Sequence, residues 1–387
     1  LKEGVLDGYS PAMITPDRRT IAQMFSENGY NTACIGKWHL GWDWGYPQNA
    51  KNKKDVDFSL PIKNGPTDRG FDYFYGIPSS LDIAPYVYVE NNKVTALPDH
   101  IIEPQKGLGL MHGGVAGAGF DPQDCLPNII RHSIDYIDKQ RNSKKPFFLY
   151  LPITAPHTPV LPSDKYKGKT TIGAYGDFVV MIDDMVQQIV ETLKKNNQLD
   201  NTIIIFTSDN GTHKEGGHDP RYFDSNGPFR GTKRDLYEGG IRTPFIVKWP
   251  SVIKPGSISY HESTFWDFMP TVCELTGATL PEGIDGISYL PTLTGQGEQK
   301  LHDNLYFEFH EQGGKQAVIK DRWKLIRLQV NNPKKTKLEL YNLNCDPGEI
   351  ANVAALYLER VKELQSIMDS SRTSSEHWKF ASEKNAK

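Results

Sequence analysis

Lys37 and His39 are the residues of this sequence whose types and spacing most clearly suit chemistry. They lie two residues apart in the segment GKWHLG, just after an apolar run that ends at Ile35 and predicts a buried strand. A lysine ammonium can hold an anion while a nearby imidazole gives or takes a proton near neutral pH. Either residue alone would more often be an ordinary solvated lysine or a hydrogen-bonded histidine, but their pairing after a strand favours a functional site.

Three further polar clusters accompany this pair. His157 lies between two prolines, Asp209 and Asn210 follow a β-branched run, and Lys233 belongs to the basic stretch RGTKR. The first could be a loop residue, the second an Asx turn that closes a strand, and the third a solvated charge run. Carboxylate and carboxamide oxygens also suit Ca²⁺ or Mg²⁺. A calcium site needs about six to eight oxygen ligands, so the others would have to come from elsewhere.

The elements that must position these clusters alternate between helix and strand. Helical periodicity predicts helices over residues 20–28, 126–141 and 174–195, and short apolar runs predict strands over 31–35, 146–151 and 202–206. This alternation predicts an α/β fold with a mostly parallel central sheet sandwiched by helices. The last of these runs is typical of a central strand buried on both faces. Ligands bind at the carboxyl ends of the strands in such sheets, so we expect the clusters to converge on one rim.

The sequence changes character after about residue 295. Short, polar-interrupted runs predict a small antiparallel sheet, followed by one helix near residues 353–370. We therefore expect a catalytic domain over residues 1–295 and a C-terminal subdomain over residues 296–387.

Composition excludes some classes of protein. The 387 residues carry a net charge of -3, which gives no basic field for nucleic acid or for a polybasic membrane contact. No apolar run approaches the roughly 20 residues needed to span a bilayer. The four cysteines lack C-x-x-C spacing, so we expect buried free thiols at Cys34, Cys125, Cys273 and Cys345.

Taken together, the motifs resemble those of the type I sulfatases of the alkaline phosphatase superfamily, and they occur in that family's order over nearly the whole chain. The matching segments are 32–41 (TACIGKWHLG), 155–157 (APH), 207–211 (TSDNG), 237–242 (YEGGIR), 267–271 (DFMPT) and 346–349 (DPGE). The resemblance implies hydrolysis of a sulfate ester through a formylglycine aldehyde hydrate.

The resemblance also implies a role for each matching residue. Lys37 and Lys233 would hold sulfate oxygens, and His157 would contact sulfate and protonate the leaving oxygen. His39 would assist the formylglycine hydroxyls. Charge that develops on sulfate oxygens and on a departing alkoxide needs preorganised cations and a proton donor, which agrees with these roles.

The metal and the nucleophile are only partly accounted for. The resemblance makes Asp209 and Asn210 two ligands of Ca²⁺, with Mg²⁺ as the alternative. The family also has an early Asp-Asp pair and a C/S-x-P-x-R signature whose Cys or Ser becomes formylglycine, and the sequence shows neither. Residues 14–18 (ITPDR) match only the tail of that signature. We therefore expect the formylglycine segment upstream of residue 1 and no turnover by these 387 residues alone.

The substrate prediction rests on fewer residues. His218 and Asp219 resemble a His-Asp pair of sulfatases that act on galactose or N-acetylgalactosamine sulfates, although the segment could equally be a glycine-rich turn. Asp82 is a further candidate sugar contact. Two alternatives remain: a phosphoesterase of the same superfamily, and a non-catalytic binder of sulfated glycans. The family resemblance implies a periplasmic, secreted or lysosomal setting.

Overall fold

The computed structural model describes residues 6–375, 379–380 and 383. Within the predicted subdomain 296–387, residues 376–378, 381–382 and 384–387 lie outside the described residues. The helices are α1 (Ile21–Glu27), α2 (Cys125–Gln140), α3 (Ala174–Lys195), α4 (Glu238–Ile241), α5 (Phe268–Thr276), α6 (Leu290–Thr294) and α7 (Leu358–Ser371). The strands are β1 (Asn31–Lys37), β2 (Tyr73–Ile77), β3 (Val89–Glu90), β4 (Lys93–Val94), β5 (Pro98–Ile102), β6 (Gly114–Gly117), β7 (Phe147–Tyr150), β8 (Ile204–Thr207), β9 (Phe245–Lys248), β10 (Leu305–Phe309), β11 (Lys315–Lys320), β12 (Trp323–Leu328) and β13 (Lys337–Asn342).

Helix α1 delivers the chain into the central strand β1. The side chain of Thr20 accepts a hydrogen bond from the Gln23 amide, and the Gln23 side chain accepts one from the Thr20 amide, so the helix begins with a capping box. Met24 and Phe25 on the inner face of the helix are buried. After the helix ends, all residues of β1 except the first and the last are buried.

The central sheet has the strand order β4-β3-β2-β1-β7. Strand β1 is parallel to β2 and to β7, while β3 and β4 form an antiparallel edge. A separate sheet contains β10 to β13 in antiparallel order, and α7 packs against it through Val361, Leu364 and Met368. The prediction of a mostly parallel central sheet with a C-terminal antiparallel sheet and one helix is confirmed.

Strand β8 differs from the sequence-based expectation of a strand buried on both faces. It pairs antiparallel with β9, and within the described part of the chain no strand pairs with its other edge. Phe206 on β8 is 36% exposed and Ile246 on β9 is 60% exposed. Strand β7 likewise pairs only with β1 among the described strands. The apolar run is thus correctly a strand, but an unpaired edge leaves it half-exposed.

The cysteine prediction is right at three positions and wrong at one. Cys34, Cys125 and Cys273 are buried free thiols, whereas Cys345 is exposed. Cys345 lies in a turn just after β13, where its thiol contacts the carbonyl oxygen of Asn342. In the described ranges, no helix is both long and apolar enough to cross a membrane.

Candidate active site

Lys37 and His39 lie at the carboxyl end of β1, where the backbone turns sharply. Gly36 has φ +142°, and a Cβ atom there would lie 2.2 Å from the carbonyl oxygen of Pro152. The amide of Lys37 donates to that same oxygen at 2.8 Å. His39 has φ 55°, a left-handed conformation that is unfavourable for a residue other than glycine. The surrounding structure therefore holds the backbone of His39 in an imposed conformation.

His157 and Lys233 meet directly. His157 Nδ1 lies 2.7 Å from the carbonyl oxygen of Thr158, so we assign the proton of the neutral ring to Nδ1. His157 Nε2 then faces Lys233 Nζ at 3.2 Å and accepts a hydrogen bond from it. The two residues are 76 positions apart in the sequence, and the fold brings them into contact.

Asp82 supplies negative charge beside His157. Its carboxylate is buried, with Oδ1 3.9 Å from His157 Nδ1 and Oδ2 3.6 Å from Nε2 of His112. Oδ1 has no hydrogen-bond partner within the described residues. A buried carboxylate oxygen without a hydrogen bond is costly, so Asp82 is a candidate to bind a ligand hydroxyl.

The charged groups of the site shift one another's pKa values. Burial lowers the pKa of Lys37, and the charge of Lys233 lowers it further, whereas Asp209 and Asp82 oppose the shift. Burial and Lys37 lower the pKa of His39 in the same way. Two ammonium groups that repel each other in a partly dry site are stabilised when an anion binds between them.

The same forces act on His157. Burial lowers its pKa first, and the neighbouring charge of Lys233 lowers it further. Both effects favour the neutral form of the ring.

Asp209 and Asn210 follow β8 in a turn that is fixed by backbone contacts. The Gly211 amide donates to the carbonyl oxygen of Gly240 at 3.0 Å. A Cβ atom on Gly211 would lie 1.8 Å from the carbonyl oxygen of Gly239, so only glycine fits there. Asp209 is exposed and lies close enough to Lys37 to affect its pKa.

The donor atoms in this turn suit a hard cation. Asp209 and Asn210 supply carboxylate and amide oxygens, the ligand types that Ca²⁺ and Mg²⁺ prefer. Within the described residues, no group of three or more His, Cys, Asp or Glu side chains could hold a metal ion. The oxygens of Asp209 and Asn210 therefore suit such an ion as two members of a larger set of ligands.

The structure separates the predicted His218-Asp219 pair. His218 is buried, with its ring stacked 3.9 Å from that of Tyr175, and its Nε2 lies 3.4 Å from Thr212 Oγ1. Asp219 is instead at the surface, where its carboxylate pairs with Arg221 at 3.2 Å. His218 thus contacts Thr212, close to the other site residues, whereas Asp219 is paired with the neighbouring Arg221.

The sequence-based reasoning missed His213 and Glu215. His213 is buried, with its ring 5.1 Å from that of His157, and its Nδ1 lies 2.9 Å from Glu215 Oε2. Glu215 Oε1 lies 3.7 Å from Lys233 Nζ. Burial opposes ionisation of Glu215, but His213, Lys233 and Arg234 hold its pKa well below the usual range. Both residues lie within four positions of the end of the TSDNG motif, which could have drawn attention to them.

The fold and this cluster define an α/β protein with cationic and titratable side chains gathered at the carboxyl ends of β1 and β7. The family model "Sulfatase" matches residues 5–278, and the model "N-sulphoglucosamine sulphohydrolase, C-terminal" matches residues 228–374. The chain belongs to the sulfatase family, whose members are sulfuric ester hydrolases, and its fold is the alkaline phosphatase-like fold of that family. The predicted family and enzyme class are confirmed.

Individual relatives agree with this assignment. The chain is 29% identical to an N-acetylgalactosamine-6-O-sulfatase of Bacteroides thetaiotaomicron, over 96% of this chain and 80% of that relative. It is 32% identical to the human steryl-sulfatase over 75% of this chain, and spans only 57% of that relative's length. A solved structure from work on the metabolism of multiple glycosaminoglycans by Bacteroides thetaiotaomicron superposes with a TM-score of 0.79, at 29% identity, and covers 95% of this chain and 85% of that chain.

Proposed function

We propose that this chain supplies the sulfate-binding site of a sulfatase that removes sulfate from galactose or N-acetylgalactosamine sulfate in a glycan. The contact between Lys233 Nζ and His157 Nε2 at 3.2 Å carries this proposal, because it places a cation and a proton-transfer group at one point. The similarity to an N-acetylgalactosamine-6-O-sulfatase supports the choice of sugar. Family membership favours a periplasmic, secreted or lysosomal setting.

The proposed roles follow from the charges. Lys37 and Lys233 neutralise the sulfate oxygens as charge builds up on them. The bound anion offsets the charge of Lys233, so the pKa of His157 rises and the imidazole can take up a proton at Nε2. His157 then donates that proton to the leaving alcohol oxygen. Asp82, whose Oδ1 beside His157 has no hydrogen-bond partner among the described residues, accepts a hydrogen bond from a sugar hydroxyl.

The nucleophile and the metal complete the proposal. A formylglycine from a segment outside this sequence would supply the attacking oxygen, with His39 as its neighbour. Asp209 and Asn210 would be two ligands of Ca²⁺, or of Mg²⁺, and the cation would stabilise negative charge on the sulfate. Among the described strands, β7 and β8 each have an edge with no partner, which supports this view because a further strand could pair there. Burial raises the pKa of Tyr150 at the end of β7, and Asp209, after β8, lies close enough to raise it further.

Binding measurements test the sulfate site without turnover. Calorimetric titration of the chain with galactose 6-sulfate should show binding, and replacing Lys37 or Lys233 with Met should weaken it about tenfold or more, since each removes a charge-assisted contact. Lys337→Met is the control, because Lys337 is exposed on β13. Equal binding by all four proteins would refute the proposed roles. Tighter binding of galactose 6-phosphate than of galactose 6-sulfate would favour the phosphoesterase alternative.

Turnover tests the source of the nucleophile. The isolated 387-residue chain should release no sulfate from galactose 6-sulfate, as measured by ion chromatography. Sustained release by this chain would show that the nucleophile is within the sequence. A longer protein that restores the C/S-x-P-x-R segment should release sulfate. Failure of that protein on every galacto-configured substrate would refute the choice of sugar.

A further inference from the structure

The loop that carries Lys233, residues 230–238, lies on the C-terminal antiparallel sheet. At its start, Arg230 donates a hydrogen bond to the hydroxyl oxygen of Tyr341 on β13 at 3.1 Å. Near its end, Tyr237 is buried in the hydrophobic core that β10 to β13 form. Lys233 is therefore at a turn between two points that are attached to this sheet.

A buried lysine of that sheet reaches into the turn itself. Lys315 begins β11, and only 10% of its side chain is exposed. Its Nζ donates to the carbonyl oxygen of Arg234 at 2.8 Å, to Asp235 Oδ1 at 2.8 Å and to Gln312 Oε1 at 2.9 Å. An ammonium group has three N–H donors, so all three are used, and two of them bind the residues that directly follow Lys233.

These contacts fix the backbone on both sides of Lys233. Arg234 has φ 78°, a left-handed conformation that its neighbours must hold in place. Asp235, bound to Lys315 through Oδ1, accepts a hydrogen bond from the Thr232 amide through Oδ2 at 3.0 Å. The Lys233 amide donates to the carbonyl oxygen of Thr212 at 2.7 Å. With residues 232, 234 and 235 held, the Lys233 side chain is directed toward the active site.

We propose that Lys315 is a positioning residue that sets the place of Lys233 beside His157, and so connects the C-terminal sheet to the anion site. The importance of Lys315 for sulfate binding rests on the proposed function, whereas the geometry that joins Lys315 to the Lys233 turn does not. Burying an ammonium is costly unless its partners are well placed, and here those partners belong to the turn that presents Lys233. Lys315 touches neither substrate nor reacting atoms in this role.

The test replaces Lys315 with Met, which removes the charge and keeps a similar length. Two quantities are measured in the complete chain: the titration of the His157 ring by NMR, assigned with His157→Gln, and calorimetric binding of sulfate. If Lys233 moves away in K315M, the pKa of His157 should rise toward its ordinary value, and sulfate should bind about tenfold more weakly. Lys337→Met, an exposed lysine of the same sheet, should change neither.

A purely stabilising Lys315 would leave the pKa of His157 and the sulfate affinity unchanged in folded K315M, and that result would overturn the proposal. If K315M does not fold, Asp235→Asn removes the charged acceptor with little change in shape and should produce the same two effects, smaller in size. Unchanged values in that variant would likewise overturn it. Absence of sulfate binding in the unmodified chain would instead refute the proposed function, because the His157 titration still reports where Lys233 lies.

Discussion

Replacing Lys324 with Met should strongly destabilise the protein, because Lys324 joins two buried carboxylates. The side chain of Lys324 is fully buried on β12. Its Nζ lies 3.0 Å from Glu238 Oε1 and 2.9 Å from Glu349 Oε1. Glu349 Oε2 also accepts a hydrogen bond from the Glu238 amide at 2.6 Å, at the start of α4. This ion group therefore connects the C-terminal sheet to the YEGGIR segment.

The size of the effect follows from what the substitution leaves behind. Lys324→Met keeps the volume of the side chain but leaves Glu238 and Glu349 facing each other without the cation between them. Breaking a buried ion pair by removing one partner costs about 3–5 kcal/mol. The whole free energy of unfolding of a folded domain is about 5–15 kcal/mol. A double variant, Lys324→Met with Glu349→Gln, should recover part of the loss, because one uncompensated charge is also removed.

The effect should depend on pH. Burial raises the pKa of Glu349 above its ordinary 4.5, although Lys324 opposes the shift. A carboxyl group whose pKa is higher in the folded than in the unfolded state favours folding below its unfolded-state pKa. This contribution is lost as the pH rises through its folded-state pKa. Removing Lys324 raises the folded value further. The loss of stability in K324M should therefore be larger at pH 7.5 than at pH 5.5.

Urea unfolding followed by circular dichroism at both pH values measures these differences. Lys337→Met serves as the control, since an exposed lysine should contribute less than about 0.5 kcal/mol. A loss below about 1 kcal/mol in K324M, or one that does not change with pH, would refute the reasoning from buried charge.

Two other predictions concern the end of β1 and the histidines. Gly36→Ala should lower the free energy of unfolding by more than about 2 kcal/mol, as measured with urea, because the new Cβ would lie 2.2 Å from the carbonyl oxygen of Pro152. Gly29 also has a positive φ, but the space around it is open, so Gly29→Ala should cost only about 1 kcal/mol. Equal losses would contradict the steric argument. The lowered pKa values of His39 and His157 favour folding above their ordinary 6.5, and this contribution is lost as pH falls through the folded values. The melting temperature should therefore fall between pH 7 and pH 5, less steeply in His157→Gln, and an identical slope in that variant would count against a neutral His157.

Strong periodicity and strand-end placement made much of the fold predictable. The helical stripe of residues 174–195 coincides with α3, and the helix predicted over 126–141 differs from α2 by one residue at each end. The sequence predicts that Lys37 and His157 follow strands; Lys37 is instead the last residue of β1, and His157 follows β7 at the same end of the parallel sheet. These predictions depend on local pattern and on a general rule for α/β sheets.

Other features depend on contacts that spacing does not encode. His213 and Glu215 lie in a glycine-rich loop without periodicity, and their role is visible only through their contacts with His157 and Lys233. Asp219 was grouped with its neighbour His218, but Arg221 two positions away binds its carboxylate instead.

The edges of β7 and β8 that have no partner among the described strands also bear on how the chain should behave in solution. Unpaired strand edges with exposed apolar side chains are templates for pairing with other chains. Tyr150 is 46% exposed and Phe206 is 36% exposed at these strands. The 387-residue chain should therefore self-associate as its concentration rises, and a short β-strand peptide that occupies the edge should act as a solubilising additive during purification.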